Sequence, residues 1–304
     1  MNSYWTDSKK AAARFESHPG QRLQTRQGAV EYAEIGEGPD VLFSHGVLGS
    51  YLDGVDSVDM WISRDVHAVV PSRFGYFGST LPTNATVGDQ AAAYVELLDH
   101  LEISDVVAIG FSAGGPSVIE LALRYPQRVS GLVLCSSRLP SLPKPKGWMK
   151  PLLHFVFGAD RLFWVYKQLM PKTYALMVGI PKTYKITESD QLLFDEIADS
   201  FFPLKPRQQG AVFDSFTSNP AVDDAPLEDI PVPALIIHSQ DDPLAPYYSA
   251  REAARRIPHA RLITLPSGGH LFLGHDSDVR CEIHRFLREV VPEELTHTSA
   301  SAAR

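Results

Sequence analysis

The sequence predicts an α/β fold: a mostly parallel sheet flanked by helices, with an inserted helical cap. Short apolar stretches typical of buried strands alternate with helical periodicities up to residue 138 and again from residue 220. Strands and helices that alternate in this way form parallel sheets covered on both faces. The intervening segment has helical spacing and is too long for a loop. We therefore divide the chain into a first core part (1–138), a cap (139–219) and a second core part (220–304).

Seven apolar stretches bounded by turn residues predict strands. They cover residues 30–35, 41–43, 66–70, 106–110, 132–135, 234–238 and 261–265. Apolar residues at helical intervals predict core helices. These cover residues 87–101, 118–125 and 276–291. The polar residues 1–20 are expected to form a loose arm and residues 293–304 a frayed tail.

Composition excludes several classes of function. The net charge of −8 does not fit a nucleic-acid-binding protein, which is normally basic. Two cysteines do not make a disulfide framework. The chain has no secretory signal pattern and no apolar run long enough to span a membrane. We expect a cytoplasmic protein that acts on a small molecule and binds no nucleic acid; composition leaves its oligomeric state open.

The most informative stretch is Gly110-Phe111-Ser112-Ala113-Gly114, which stands between a predicted strand and a predicted helix. A strand, G-x-S-x-G and a helix in that order predict a nucleophile elbow. A serine on so sharp a turn occupies an unfavourable backbone region, at a cost of about 1–3 kcal/mol. Its neighbours two residues away must be small. We therefore predict that Ser112 is a nucleophile.

A serine hydroxyl needs a histidine to take its proton and a carboxylate to orient that histidine. In this architecture the three occur in the order serine, acid, histidine. Ser112, the pair Asp241-Asp242 and His270 follow that order, each soon after a predicted strand. Asp242 is preferred over Asp241 as the orienting acid because Pro243 fixes the turn that follows it. The alternatives are a solvated helix N-cap for the acid pair and an ordinary loop histidine after two glycines for His270.

A serine that attacks a carbonyl group also needs two backbone N–H groups to bind the oxyanion that develops on the carbonyl oxygen. Each such donor stabilises the transition state by about 3–4 kcal/mol. We predict Ala113, which follows the nucleophile, and Val47, in the loop after an earlier strand. His45 and Gly46 are expected to support that loop through hydrogen bonds. The remaining histidines, among them His238, are interpreted as structural or surface residues. No pair has metal-ligand spacing, so we predict no metal.

These motifs resemble the α/β-hydrolase superfamily. The resemblance rests on His45-Gly46-x-x-Gly49, the elbow, Asp242-Pro243 and Gly269-His270, and covers roughly residues 25–138 and 220–291. The cap resembles that of esterase, lipase and C–C hydrolase members. The resemblance implies an eight-stranded sheet, the triad Ser112/Asp242/His270 and no cofactor.

Differences from other members of this superfamily argue against epoxide hydrolysis, dehalogenation and peptide cleavage as the expected reaction. Epoxide hydrolases and haloalkane dehalogenases of this superfamily use an aspartate where this chain has Ser112. Aminopeptidase-like members usually carry His-Gly-Gly-Pro-Gly and Gly-x-Ser-Trp-Gly, from which Val47, Leu48 and Ala113 depart.

The sequence therefore predicts a serine hydrolase that cleaves a carboxylic ester with a partly apolar acyl or alcohol group. The same residues would also serve a C–C bond hydrolase, a lactone hydrolase or an acyl transferase to peroxide. A small-molecule receptor on a hydrolase scaffold is the alternative from another class. Residues 140–185 carry eight Lys or Arg against one acid, Asp160. This basic, aromatic cap is interpreted as an ordinary amphipathic lid, with attraction of anionic substrates or contact with a membrane surface as alternatives.

Overall fold

The computed structural model describes residues 3–137, 139 and 144–291. Eight strands form one sheet in the spatial order β1-β2-β4-β3-β5-β6-β7-β8. The pairs β1–β2 and β2–β4 are antiparallel, and the other neighbours are parallel. The strands are β1 (Gln21–Thr25), β2 (Gly28–Ile35), β3 (Asp40–Ser44), β4 (His67–Pro71), β5 (Val106–Phe111), β6 (Val129–Cys135), β7 (Ala234–Ser239) and β8 (Ala260–Leu265). The predicted fold class is confirmed.

Helices connect the strands and form the insertion between β6 and β7. They are α1 (Tyr4–Ser17), α2 (Tyr51–Trp61), α3 (Val87–His100), α4 (Gly115–Arg124), α5 (Lys150–Phe157), α6 (Asp160–Leu169), α7 (Pro171–Met177), α8 (Glu188–Ser200), α9 (Gln208–Phe213), α10 (Asn219–Ala221), α11 (Tyr247–Arg256) and α12 (Asp276–Val290). In the described part of the chain, no helix is long and apolar enough to cross a membrane.

The sheet has an apolar core on each face, because alternate residues of a strand point to opposite sides. On β3, Leu42 packs on one side with α3, α4 and α11, whereas Val41 and Phe43 pack on the other with α2 and α12. Burial on both sides explains why the parallel strands read as continuous apolar stretches rather than as alternating ones.

The strand order reverses direction at β3. The next strand in the chain, β4, lies on one side of β3, and β5 lies on the other. Ligands of open α/β sheets bind outside the carboxyl ends of the strands at such a point. His45 follows β3 and Ser112 follows β5, so both lie at this crevice.

The N-terminal segment differs from its expectation. Residues 4–17 form a helix, not a loose arm, and the side chain of Ser3 caps it by accepting from the N–H of Thr6. Only Ala11 of this helix is buried, so its apolar pattern is weak. Its partners are distant in sequence: the indole of Trp164 donates to Asp7 at 2.9 Å. Tertiary contacts of this kind leave no local signal.

Three further core elements, β1, α2 and α11, are absent from the sequence prediction. For α2 a signal existed, since Ser50 caps the helix by accepting from the N–H of Asp53. The two residues have the Ser-x-x-acid spacing typical of a helix start. The division of the chain at 139 and 219 stays a prediction, and its first boundary adjoins residues 138 and 140–143, which lie outside the described part. The predicted tail at 293–304 lies outside it as well.

Candidate active site

The turn after β5 has the strain predicted for an elbow. Ser112 has a φ of +52°, a left-handed conformation that is rare for residues other than glycine. The two glycines allow close packing around it. A Cβ on Gly114 would lie 2.0 Å from the carbonyl oxygen of Ser44, and one on Gly110 would lie 2.8 Å from the Cα of Gly115. The G-x-S-x-G spacing therefore follows from steric exclusion on both sides of the serine.

The structure brings Ser112, His270 and Asp242 together. His270 Nε2 lies 2.8 Å from Ser112 Oγ, and His270 Nδ1 lies 2.7 Å from Asp242 Oδ2. Since the carboxylate can only accept, Nδ1 carries the proton and Nε2 is free to accept from the serine hydroxyl. The arrangement has the polarity that a general base requires.

The Asp242 carboxylate is buried and fully engaged. Its Oδ1 accepts from the N–H groups of Leu244 and Ala245, at 2.8 and 2.9 Å. Burial by itself would raise the pKa of Asp242, but the adjacent His270 and the hydrogen bonds outweigh it and hold the pKa below its usual value. The carboxylate therefore stays charged beside the histidine.

The neighbouring Asp241 has a separate place. Its Oδ1 accepts from the N–H of Gly269 at 2.9 Å. Asp241 therefore holds the backbone of the loop that carries His270, whereas Asp242 binds the imidazole ring. Two more bonds hold the His270 backbone: its N–H donates to the carbonyl of Gly179 at 2.9 Å, and its carbonyl accepts from the Ser136 hydroxyl at 2.8 Å. The histidine is thus clamped by both the core and the cap.

His238 is buried against the same acid. Its Nε2 lies 2.6 Å from the carbonyl oxygen of Ala245 and 3.4 Å from Asp242 Oδ2. Burial lowers the pKa of His238, so the ring is neutral and packs behind the carboxylate. This agrees with the structural role expected for it.

The loop after β3 is held through a single peptide group. The carbonyl oxygen of Gly46 accepts from His45 Nδ1 at 2.8 Å and from Arg73 Nη2 at 3.1 Å. The other ring nitrogen, Nε2, accepts from the backbone N–H of Arg73 at 3.0 Å. Burial lowers the pKa of His45 far below its ordinary value, which suits a neutral ring that donates at one nitrogen and accepts at the other. In a trans peptide the N–H opposes the carbonyl, so these bonds also fix the direction of the Val47 N–H.

A buried ion pair stands behind this loop. Arg73 donates to both oxygens of Asp214 at 2.5 and 2.6 Å, and the Tyr76 hydroxyl donates to the same carboxylate at 2.5 Å. The side chains of Arg73 and Asp214 are 2 % and 0 % exposed. Tyr76 in turn accepts from the N–H of Leu48 at 3.3 Å. The loop after β4 and the helical segment after α9 therefore both fix the residues around Val47.

A second buried arginine ties the cap to the same loop. Arg207 is fully buried; it donates to Asp53 at 2.7 Å, to the carbonyl of Ser200 at 2.6 Å, and to the carbonyl of Leu48. Burial would raise the pKa of Asp53, but Arg207 and Arg14 outweigh it and lower the pKa. The segment after α8 is thus anchored to the core beside the loop at 45–49.

A cavity of about 1000 Å³ opens above Ser112 and His270. The cap, the loop at 45–49 and α1 all contribute to its wall. Its apolar side chains include Phe111, Phe157, Phe163, Trp164, Met177, Val178, Leu244 and Leu271. Its charged side chains are Asp7, Asp53, Asp56, Asp59, Glu196, Asp199, Lys10, Arg14 and Lys167. Acids therefore outnumber bases in the wall, and of the eight basic residues in 140–185 only Lys167 is among the lining residues that the structure describes.

Several residues that shape this site were missed in the sequence analysis. Arg73 and Asp214 are 141 residues apart, and they act on a backbone carbonyl, so neither has a motif. Ser136 and Gly179 likewise reach the site through backbone atoms of His270. The glycine- and aromatic-rich composition of residues 72–78, the loop after β4, is the one local signal that could have pointed to Arg73.

Comparisons with known proteins agree with this fold. A family model described as alpha/beta hydrolase family matches residues 41–281. An uncharacterized hydrolase, YcgS of Bacillus subtilis, is 29% identical over 82% of this chain and 91% of its own length. A pimeloyl-[acyl-carrier protein] methyl ester esterase of Nitrosospira multiformis is 28% identical over 86% of this chain and 99% of its own. A solved alpha/beta hydrolase fold protein of Nakamurella multipartita superposes with a TM-score of 0.73 at 25% identity, covering 88% of this chain and 99% of that one.

Proposed function

This chain belongs to the alpha/beta hydrolase family, and from that premise we propose that it is a serine hydrolase that cleaves carboxylic esters. The observation that carries the proposal is the hydrogen-bonded series Ser112–His270–Asp242, whose serine and histidine line the cavity. The strained serine, the correctly polarised histidine and the charged acid are the three parts that acyl transfer requires.

The proposed reaction has two halves. Ser112 Oγ attacks the ester carbonyl while His270 Nε2 takes its proton, and the N–H groups of Val47 and Ala113 stabilise the oxyanion. His270 then gives the proton to the leaving alkoxide, which departs as an alcohol and leaves an acyl-enzyme. Water attacks the acyl group, His270 again takes the proton, and collapse of the second intermediate returns Ser112 and releases the acid. Asp242 holds His270 in the required tautomer throughout.

The cavity supports an ester with a partly apolar acyl or alcohol group. Aromatic and aliphatic side chains line the cavity together with Ser112, and the acids in its wall outnumber the lysines and arginine. The net acidic wall disfavours small anionic substrates by charge repulsion. A relative named as a methyl ester esterase is consistent with this choice.

Hydrolysis of a series of p-nitrophenyl esters, from acetate to laurate, tests the proposal. The wild type is expected to turn over many times, and Ser112→Ala to lose at least about 10⁴-fold in kcat. The matched control is Ser104→Ala, an exposed serine at the opposite end of β5, which should keep wild-type activity. The chain length with the highest kcat/KM measures how much of the cavity the acyl group fills.

Labelling with a fluorophosphonate separates the possible failures. A wild type that is labelled at Ser112 but hydrolyses no ester has a live nucleophile and a different substrate, such as a lactone or a C–C bond. A single turnover per protein molecule would favour a receptor on a hydrolase scaffold. Absence of labelling, with the fold intact by circular dichroism, would refute the triad.

A further inference from the structure

The two cap helices α5 and α6 expose large apolar side chains to solvent. Neither helix has a buried residue. The exposed set, which we name the cap face, comprises Trp148 in the turn before α5, Leu152, Phe155 and Val156 on α5, and Leu162, Val165 and Leu169 on α6. Within each helix the spacing of three, four and seven residues places these side chains on one side. Apolar patches of this kind on a protein surface mark contact sites.

The charges close to the cap face in sequence are almost all positive. Six exposed lysines precede or follow its residues in the chain: Lys144, Lys146, Lys150, Lys172, Lys182 and Lys185. The one acid between residues 144 and 185 is Asp160. Its Oδ1 already accepts from the N–H groups of Leu204 and Lys205, at 2.6 and 3.1 Å. A basic apolar surface therefore stands on a chain whose net charge is −8.

The opposite side of α6 belongs to the catalytic cavity. Phe163, Trp164 and Lys167 line that cavity, whereas Leu162, Val165 and Leu169 point outward, from 41 % to 71 % exposed. The helix thus has two apolar sides, of which the fold covers one. An ordinary amphipathic lid would have one apolar side and would turn its polar side to water.

The charge and the side-chain composition of the cap face together indicate what kind of partner it binds. Two copies packed by this face would bring their lysines together, which like-charge repulsion disfavours. Aromatic and aliphatic side chains on short helices, flanked by lysines whose stems can lie along an apolar surface, are the pattern of helices that rest in a lipid interface. An anionic headgroup layer complements the lysines, and the acyl region beneath it receives the apolar side chains.

We propose that the cap face docks the protein on the surface of an anionic lipid bilayer. Docking in this way buries Trp148 and Phe155 at the headgroup boundary and brings the wall of the catalytic cavity that α6 forms close to the lipid. The proposal stands on the surface alone and does not depend on the reaction that Ser112 carries out.

Flotation with vesicles tests the proposal with Ser112→Ala as the background, so that no hydrolysis disturbs the lipid. Binding is expected to vesicles of phosphatidylcholine with phosphatidylglycerol, to weaken with added salt, and to be much weaker with phosphatidylcholine alone. Since each lysine near such a surface contributes about a fivefold gain in binding, Lys146→Gln/Lys150→Gln should lose about 25-fold. Trp148→Ser/Phe155→Ser should lose at least about tenfold.

The controls make the same kinds of change on α11, away from the cap. Arg251→Gln removes an exposed charge and Tyr248→Ser an exposed ring, and both should bind as the background does. Equal loss in cap and control variants, or no flotation with anionic vesicles at low salt, would overturn the proposal. So would light scattering that shows a dimer which Trp148→Ser/Phe155→Ser dissociates, because the cap face would then be covered by a second copy.

Discussion

The hydrogen bond from Arg73 to the carbonyl oxygen of Gly46 offers the sharpest test of how the proposed oxyanion site is built. Arg73→Met removes the guanidinium and keeps most of the side-chain volume. The Gly46 carbonyl then keeps one of its two partners, His45 Nδ1. Because carbonyl and N–H belong to one planar peptide, a loosened carbonyl means a less well aimed Val47 N–H.

The structure sets the size of two separate effects. A hydrogen bond from a charged group contributes about 1.5 kcal/mol, so kcat should fall about tenfold, with an upper bound of about 10²–10³ if the Val47 donor is lost entirely. KM should change little, since the oxyanion forms after binding. The free energy of unfolding should fall by about 3–5 kcal/mol, because Asp214 is left buried with an unpaired charge.

A double variant separates the two effects. Arg73→Met/Asp214→Asn removes both charges and keeps an amide oxygen for the Tyr76 hydroxyl, so stability measured by urea unfolding should largely recover while kcat stays about tenfold low. Arg128→Met is the matched control: its guanidinium bonds the backbone of Ile103 and Ser104 at the far end of β5, so stability should fall and kcat should not. A double variant with wild-type kcat would refute the proposed role of Arg73.

The remaining predictions concern the acid pair and one histidine remote from the site. Asp242→Asn should lower kcat by about 10⁴-fold, whereas Asp241→Asn, which keeps an oxygen for the Gly269 N–H, should stay within about tenfold by the same ester assay; the reverse ranking would exchange their roles. The hydrogen bond that His67 Nδ1 donates to the Asp40 carboxylate raises the pKa of His67, so its stabilisation is complete below about pH 6.5 and is lost as the pH rises through the raised value. The difference in unfolding free energy between wild type and His67→Gln should therefore be larger at about pH 5.5 than at about pH 8.5, and an equal difference at both would contradict this reasoning.

The sequence predicts the proposed triad because its chemistry restricts residue type and because topology restricts place. Ser112 needs two small neighbours at fixed spacing, and His270 and Asp242 each follow a parallel strand whose carboxyl end meets the same edge. No such restriction applies to Arg73 or Asp214. They act on a carbonyl that every residue possesses, and their pairing depends on a contact across 141 residues. Residue type and local periodicity therefore predict neither the backbone acceptor of Arg73 nor its pairing with Asp214.

The charge and periodicity of the cap likewise do not predict which of its side chains face the cavity and which face solvent. The excess of basic residues in 140–185 was compatible with a lid that attracts anions, but composition does not say which way a side chain points. Packing decides it: Lys167 lines the cavity and contacts Asp199, while Lys146 and Lys150 are exposed beside outward apolar side chains. A helix that is apolar on two sides needs two partners. For α6, one side lines the cavity that holds Ser112 and His270, and the proposed partner of the other side is a lipid surface.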